Sequence, residues 1–211
     1  MRYRHGAGND VDSLKLFLAS ASPRRLDLLR QIGVEPFACL AANIDETPLR
    51  NELPRDVATR LACAKALAGV ELARRELAQE GAFLVLGADT VVAVGRRILP
   101  KADAQGQAEA CLTLLSGRSH RVYTAVCIAT SEGLVRQRRV ETRVTMKRLS
   151  DEERQAYLMS GEWQGKAGGY AIQGRAAAFV SRLVGSYSSV VGLPLYETSQ
   201  MLTGLGYRLR Q

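Results

Sequence analysis

The chain has 211 residues, 46% hydrophobic and 24% charged, with 29 Lys and Arg against 21 Asp and Glu and a formal net charge of +8. That is globular composition with room for a full core, and no run approaches the ~18 consecutive apolar residues of a membrane helix. Cys39, Cys63, Cys111 and Cys127 form no C-x-x-C pair and only His5 and His120 accompany them, which argues against a Cys/His zinc site and against a histidine-based triad.

In chain order, polar Met1–Asp12 lacks an apolar signal core and is expected to be a disordered tail. Residues 13–211 are expected to form a single domain. Leu14–Ala19 predicts a buried strand. It feeds Ser22 as N-cap and Pro23 as first helical residue, with Leu26, Leu29 and Ile32 on one face and Gly33 at the exit. Pro54 opens a helix whose predicted apolar face is Val57, Leu61, Ala64, Ala68 and Leu72, running up to Gly81. Phe83–Gly87 predicts a second buried strand that ends at Ala88-Asp89-Thr90 and resumes at Val91. Gly95 turns the chain into Arg97-Ile98-Leu99, and a helix is expected over 103–115, closed by Gly117.

Arg121–Ala129 and Leu134–Lys147 predict a hairpin around Ser131-Glu132-Gly133. Ser150 with Glu153 forms a capping box that starts a helix over Asp151–Met159. A glycine-dense segment, Gly165–Gly174, carries Lys166 and Gln173, and a last helix starts near Pro194 and ends at Gly206. Alternating strands and helices predict an α/β fold around a twisted, partly parallel sheet.

The basic excess comes from 24 dispersed Arg and 5 Lys rather than a basic run with aromatics. This predicts a solvated surface and small-anion attraction, not nucleic-acid binding. The thiols are expected to sit reduced in a cytoplasmic protein. Without a thiol or imidazole engine, catalysis falls to carboxylates, Lys, Arg and a hard metal ion.

The Ser20–Arg25 segment joins a helix N-terminus to two guanidinium forks, a combination suited to phosphate, although solvated arginines on a capped helix would read the same way. Asp89, placed where an apolar strand is expected to end, suits either Mg²⁺ binding or proton abstraction from water. Asp45-Glu46, after apolar Phe37–Leu40, is a second carboxylate pair. Lys65 lies in an alanine- and leucine-faced helix, and Lys101 follows a hairpin. The glycine-dense segment has no P-loop spacing, yet its backbone N–H groups can approach an anion or a base edge.

Taken together, Ser20-Ala21-Ser22-Pro23-Arg24-Arg25, Leu86-Gly87-Ala88-Asp89-Thr90-Val91-Val92, Leu115-Ser116-Gly117-Arg118-Ser119-His120, Gly165–Gly174 and Gly185–Pro194 resemble the Maf family of nucleoside triphosphate pyrophosphatases. The likeness spans about residues 13–209. It implies an elongated, inosine-triphosphatase-like mixed sheet flanked by helices, with a cleft between two lobes. It further implies metal-assisted hydrolysis of a nucleoside triphosphate, by Mg²⁺ or Mn²⁺, to the monophosphate and pyrophosphate. Lys166–Gly174 and Ser186-Tyr187-Ser188-Ser189 resemble the branch acting on dTTP and UTP, rather than the one taking 7-methyl-GTP. Carried over by motif, Asp89 is the proton acceptor or a metal ligand with Glu46. Arg24, Thr90 and Gln173 bear on substrate choice, while Ser20, Arg25, Lys65 and Lys101 surround the phosphates. The same chemistry on 7-methyl-GTP or another modified nucleotide is one alternative, the family's link to septum formation leaves a non-enzymatic division regulator as another, and homodimerisation stays open. The family usually has Lys-Pro-x-Asp where this chain has Lys101-Ala102-Asp103, which predicts a less rigid loop around Lys101.

Overall fold

The computed structural model describes residues 14–76 and 81–209. The expected N-terminal tail lies outside these residues. In chain order the elements are β1 (Lys15–Leu18), α1 (Pro23–Gln31), β2 (Ala38–Cys39), α2 (Pro54–Glu76), β3 (Phe83–Val94), β4 (Arg97–Leu99), β5 (Lys101–Ala102) and α3 (Gln105–Leu115). They continue as β6 (Ser119–Thr130), β7 (Val135–Met146), α4 (Asp151–Met159), β8 (Lys166–Ala167), a 3₁₀ turn over Arg175–Phe179, β9 (Val180–Val184), α5 (Tyr187–Val191) and α6 (Leu195–Gly204). Among the described residues no helix is long and apolar enough to cross a membrane.

One mixed sheet of order β2-β1-β3-β6-β7-β9 organises the chain, with β4 also paired to β3. The β2–β1 and β1–β3 pairs are parallel, and the remaining pairs of this sheet are antiparallel. The backbone of β3, β6 and β7, each 12 residues long, carries side chains alternately to opposite faces. Odd positions of β3 and β6, such as Val85, Val91, Ala125 and Cys127, pack under α2. Even positions, such as Leu84, Leu86, Val126 and Ile128, pack with Leu28, Leu29 and Leu202 of α1 and α6. Farther along the same strands, Val92, Val122 and Val144 enter a separate core made by α3, α4 and Tyr170-Ile172. The long strands therefore run from the cores on the two faces of the sheet to a third at their far end, and a cleft lies between.

Two sequence expectations are corrected here. β3 does not end before Asp89; it runs unbroken through it, with Asp89 opposite Ala125 on β6. What ends is the neighbour. β1 pairs with β3 only as far as Leu86, and β4 joins the same edge only at Val92. Residues 87–91 thus face a gap in the sheet, created by a missing strand rather than a strand terminus. The residues Ala88-Asp89-Thr90 read as a break because their polarity interrupts an apolar run, but the full β6 ladder keeps the backbone extended.

The buried face of α2 is also rotated from the expected one. It comprises Val57, Ala58, Leu61, Ala62, Lys65, Ala66, Gly69, Val70 and Ala73, while Ala64, Ala68 and Leu72 are only half-buried. Close approach explains the rotation. A Cβ on Gly69 would stand 2.6 Å from Val85 Cγ1, and one on Gly87 would stand 2.4 Å from the Ala62 carbonyl oxygen and 2.6 Å from the Ala66 nitrogen. Two hydrogens in place of methyls let the helix backbone settle onto the sheet, which turns Lys65 inward.

Lys101 is held by pairing rather than by proline. Ala102 is fully buried and pairs with Lys166, Lys101 pairs with Ala167, and Gly165 donates to the Ala102 carbonyl at 2.8 Å. The glycine-dense segment is thereby tied to the strand bearing Lys101. Gly87→Ala is expected to lower stability by about 2–3 kcal/mol, because overpacking here strikes helix backbone rather than a movable side chain. Denaturant unfolding checks this; a midpoint equal to wild type would refute the close-packing account.

Candidate active site

The cleft has a volume of about 70 Å³ and is lined by Arg24, Arg25, Asp89, Thr90, Lys101, Lys166 and Gln173, among others. Behind Asp89 and Lys101 runs a chain of alternating charges. Lys65 Nζ, on a side chain only 7% exposed, stands 2.6 Å from Asp89 Oδ1 and 2.6 Å from Glu46 Oε1. The second Glu46 oxygen accepts from Lys101 Nζ. Asp89 itself is 3% exposed. A buried carboxylate at that depth is tolerable only with a paired cation, and α2 supplies it. Lys65 occupies Oδ1, so Oδ2 is the oxygen that Asp89 can offer to the cleft. Partial burial works against the charge on Glu46, but hydrogen bonds from Lys101 and Lys65 outweigh it and hold the carboxyl at about 2.

The wall beside this floor is the start of α1. Ser22 has the extended backbone of an N-cap, and Pro23 begins the helix without wasting a donor. Ser20 Oγ accepts from Arg25 Nη1 at 3.1 Å and from the Ser22 backbone N–H at 3.2 Å. Arg25 Nε donates to the Gly192 carbonyl at 2.9 Å. The guanidinium of this cleft-lining residue is thus braced from two sides. Burial lowers the pKa of Arg25, against the pull of Asp89, and burial also lowers that of Arg24. Both remain cations at neutral pH.

The opposite wall is the glycine-dense segment. Gly168 and Gly169 have φ of +70° and +68°, and a Cβ on Gly168 would meet Val92 Cγ1 at 2.8 Å. Tyr170, a buried residue, pairs through its hydroxyl with His120 Nε2 at 2.7 Å, and burial pushes the His120 imidazole down to about 4, leaving it neutral. The segment is therefore packed, not loose. Lys166 Nζ donates to the Gln164 carbonyl at 2.8 Å, and burial followed by repulsion from Arg24 lowers its pKa. Gln173 is exposed, and its amide has no hydrogen bond to a described residue.

All the sequence-selected residues converge on this cleft, but not all line it. Arg24, Arg25, Asp89, Thr90, Lys101 and Gln173 do. Ser20, Lys65 and Glu46 stand behind them as partners of Arg25, Asp89 and Lys101. The sequence reading gave no role to Lys166, to the Gly192 carbonyl, or to Thr124, which donates to the Ser189 carbonyl at 2.7 Å beside Thr90. Lys166 had a signal, being one of few lysines and inside the glycine segment. Gly192 lies in the Gly185–Pro194 block, but the contact its carbonyl makes left no mark there, and Thr124, a strand partner, had no signal at all. A larger open depression of about 650 Å³, lined by Arg118, Arg148 and Arg154 with Asp151 and Glu152, contains none of the selected residues.

The model for the Maf-like protein family matches residues 15–205. A relative from Rhodopseudomonas palustris (strain HaA2), named dTTP/UTP pyrophosphatase, is 60% identical over 93% of this chain and 94% of its own length. Relatives of the same name from Bradyrhizobium diazoefficiens and Mesorhizobium japonicum are 60% and 58% identical over 93% of this chain. Among solved structures, a HAM1 protein from Coxiella burnetii is 16% identical with a TM-score of 0.46, covering 90% of this chain and 99% of its own.

The Glu46 pairing predicts an acid-side effect. Its folded-state pKa lies below the ordinary 4.5, so the stabilisation is fully present above that value and is lost as pH falls toward about 2. Between these limits wild type is expected to lose more of its unfolding midpoint than Glu46→Gln does. Parallel pH profiles would dissociate Glu46 from the acid lability.

Proposed function

The chain belongs to the family of Maf-like proteins, and we propose that it hydrolyses dTTP and UTP to the monophosphate and pyrophosphate in the cleft above Asp89. The observation that carries this reading is the Lys65 bridge between Asp89 and Glu46 at the floor of a groove walled by Arg24, Arg25, Lys101 and Lys166. A triphosphate bears several negative charges, and four cations around a narrow opening supply the compensation that water would otherwise give. Arg24 and Arg25 suit forked contacts to phosphate oxygens. Lys101 and Lys166 lie on the paired strands β5 and β8 and act as point charges from the other wall.

In this mechanism Asp89 Oδ2 orients a water for in-line attack on the α-phosphorus and takes its proton. The new oxygen–phosphorus bond forms as the bond to the bridging oxygen breaks, and pyrophosphate leaves toward the arginines. Lys65 holds one oxygen of Asp89 fixed at 2.6 Å, which keeps the other aimed. A divalent cation, Mg²⁺ or Mn²⁺, would be held by Glu46 and Asp89, where it would lower the pKa of water and offset charge on the phosphates. Two carboxylates suit such an ion when phosphate oxygens and water complete its shell. Among the described residues no group of three or more His, Cys, Asp or Glu gathers for a self-sufficient cage, so the nucleotide itself would be part of the binding site.

Gln173 supports base selection, because an exposed carboxamide with no hydrogen-bond partner among the described residues offers a donor and an acceptor to the edge of uracil or thymine. Asp89→Asn is expected to lower kcat at least ~100-fold with the unfolding midpoint retained, measured as pyrophosphate release. Near-normal turnover would remove Asp89 from the chemistry. Gln173→Ala is expected to narrow the preference for dTTP and UTP over 7-methyl-GTP and other triphosphates by about tenfold. A substrate panel run with and without chelator measures both the ranking and the metal requirement, and an unchanged ranking in Gln173→Ala would count against base reading.

A further inference from the structure

We infer that Arg60 is a positioning residue that sets where Glu46 stands, by clamping the irregular segment that carries Glu46 onto α2. This deepens the hydrolase reading, and its effect on turnover rests on that reading. Between Cys39, the end of β2, and Pro54, the start of α2, the chain has neither helix nor strand. Glu46 lies midway along this stretch, so no ladder or helical turn fixes its backbone. Upstream of it, Ile44 packs against the core beneath α2. The Glu46 carboxylate nevertheless reaches two lysines on different elements, Lys65 on α2 and Lys101 on β5. One side chain keeps two such contacts only if the backbone behind it is held.

Arg60 supplies that restraint. Its guanidinium makes three contacts with the segment. Nε and Nη2 donate to the two oxygens of Glu52 at 2.7 and 2.8 Å, and Nη2 also donates to the carbonyl of Thr47, the residue after Glu46, at 3.1 Å. The Glu52 side chain is only 11% exposed, so this pair is better shielded than an ordinary surface ion pair. Glu52 Oε2 takes the Leu49 N–H at 2.9 Å, the Glu52 N–H donates to the Leu49 carbonyl at 3.0 Å, and Asp45 Oδ1 takes the Thr47 N–H at 2.9 Å. The turn between Leu49 and Glu52 passes through Asn51 at a φ of +62°, a conformation that asparagine tolerates but does not enforce. The clamp enforces it.

α2 therefore holds the segment at two points, with Arg60 on the backbone beside Glu46 and Lys65 on the Glu46 side chain. The two grips are five residues apart in the helix, about 7.5 Å of axial rise. A guanidinium suits the first grip, because its planar fork meets a carboxylate with two N–H groups and still reaches a carbonyl, which a single ammonium does not match in geometry. Arg60 is not among the residues that line the cleft. Its influence on the reaction passes through Glu46, the carboxylate assigned above to the divalent cation.

Two measurements on the full chain test this. In the protein without nucleotide or metal, NMR backbone order parameters at Thr47 and Leu49 are expected to fall from about 0.85 toward 0.6 in Arg60→Ala, while those of β3 stay near 0.85. Glu52→Gln, which keeps the side chain's shape and removes its charge, should move the same two residues in the same direction, and keeps the test open if Arg60→Ala fails to fold. In pyrophosphate release from UTP, Arg60→Ala should lower kcat/KM about tenfold. In a Glu46→Gln background the same substitution should change it by no more than about twofold, because a residue that acts through Glu46 then has nothing left to position. Order parameters equal to wild type, a drop shared equally by β3, or a full tenfold loss in the Glu46→Gln background overturns the inference and leaves the hydrolase reading intact. A wild-type chain that releases pyrophosphate from neither UTP nor dTTP overturns that reading instead, and the order parameters alone then decide the clamp.

Discussion

Everything at the candidate site depends on one buried ammonium. Lys65 places a positive charge between Asp89 and Glu46 at 2.6 Å from each, and without it two carboxylates, one of them buried, would stand together with no cation between them. The position of that ammonium is a packing result. α2 carries alanine and glycine where it meets the sheet, and β3 carries Gly87 beneath it. The shortest side chains of the protein therefore decide where its most consequential charge lies. A larger residue on either surface would lift the helix and withdraw Lys65 from Asp89, so packing and electrostatics are here a single constraint.

The second constraint is topological. β3, β6 and β7 run on into the third core, so the floor of the cleft is continuous, hydrogen-bonded sheet. The opening arises because β1 leaves the edge of β3 at Leu86 and β4 arrives only at Val92. Asp89 sits in the middle of that interval, rigid in backbone yet not covered by a neighbouring strand. The two walls come from different parts of the chain: the α1 N-terminus with Gly192 on one side, and the Gly165–Gly174 segment on the other. Each wall is cross-braced, by Arg25 to Ser20 and Gly192 and by His120 to Tyr170. Preorganisation of this kind is what electrostatic stabilisation of a charged reaction requires.

Much of this was legible in the sequence because it rests on local rules. Pro23, Gly33, Gly95, Gly117 and the Ser150–Glu153 box mark element ends through backbone geometry and capping, and those elements occur as expected. The short strand β9 and helix α5 were not foreseen, since five residues of mixed polarity carry no usable period. Asp89 was selected for a reason that the structure revises. An acid in an apolar run looked like a strand terminus, whereas the ladder to β6 continues through it and the neighbour on the other edge is what ends. Lys65 was noticed as an odd lysine on an alanine-rich helix, but the face assigned to that helix was rotated, because periodicity counts large apolar residues and the true contact surface is made of small ones.

Residue order and spacing set the chemistry on offer and the local geometry of the segments that bear it: a carboxylate after an apolar run, arginines at a helix start, a lysine in a helix, glycines where φ must be positive. Tertiary structure alone decided which of these meet. Glu46 and Lys101 are 55 positions apart, and Arg25 and Gly192 are separated by 167, distances over which no local propensity operates. Their contact follows from strand order, from how closely α2 can approach β3, and from which edge of the sheet is left unpaired.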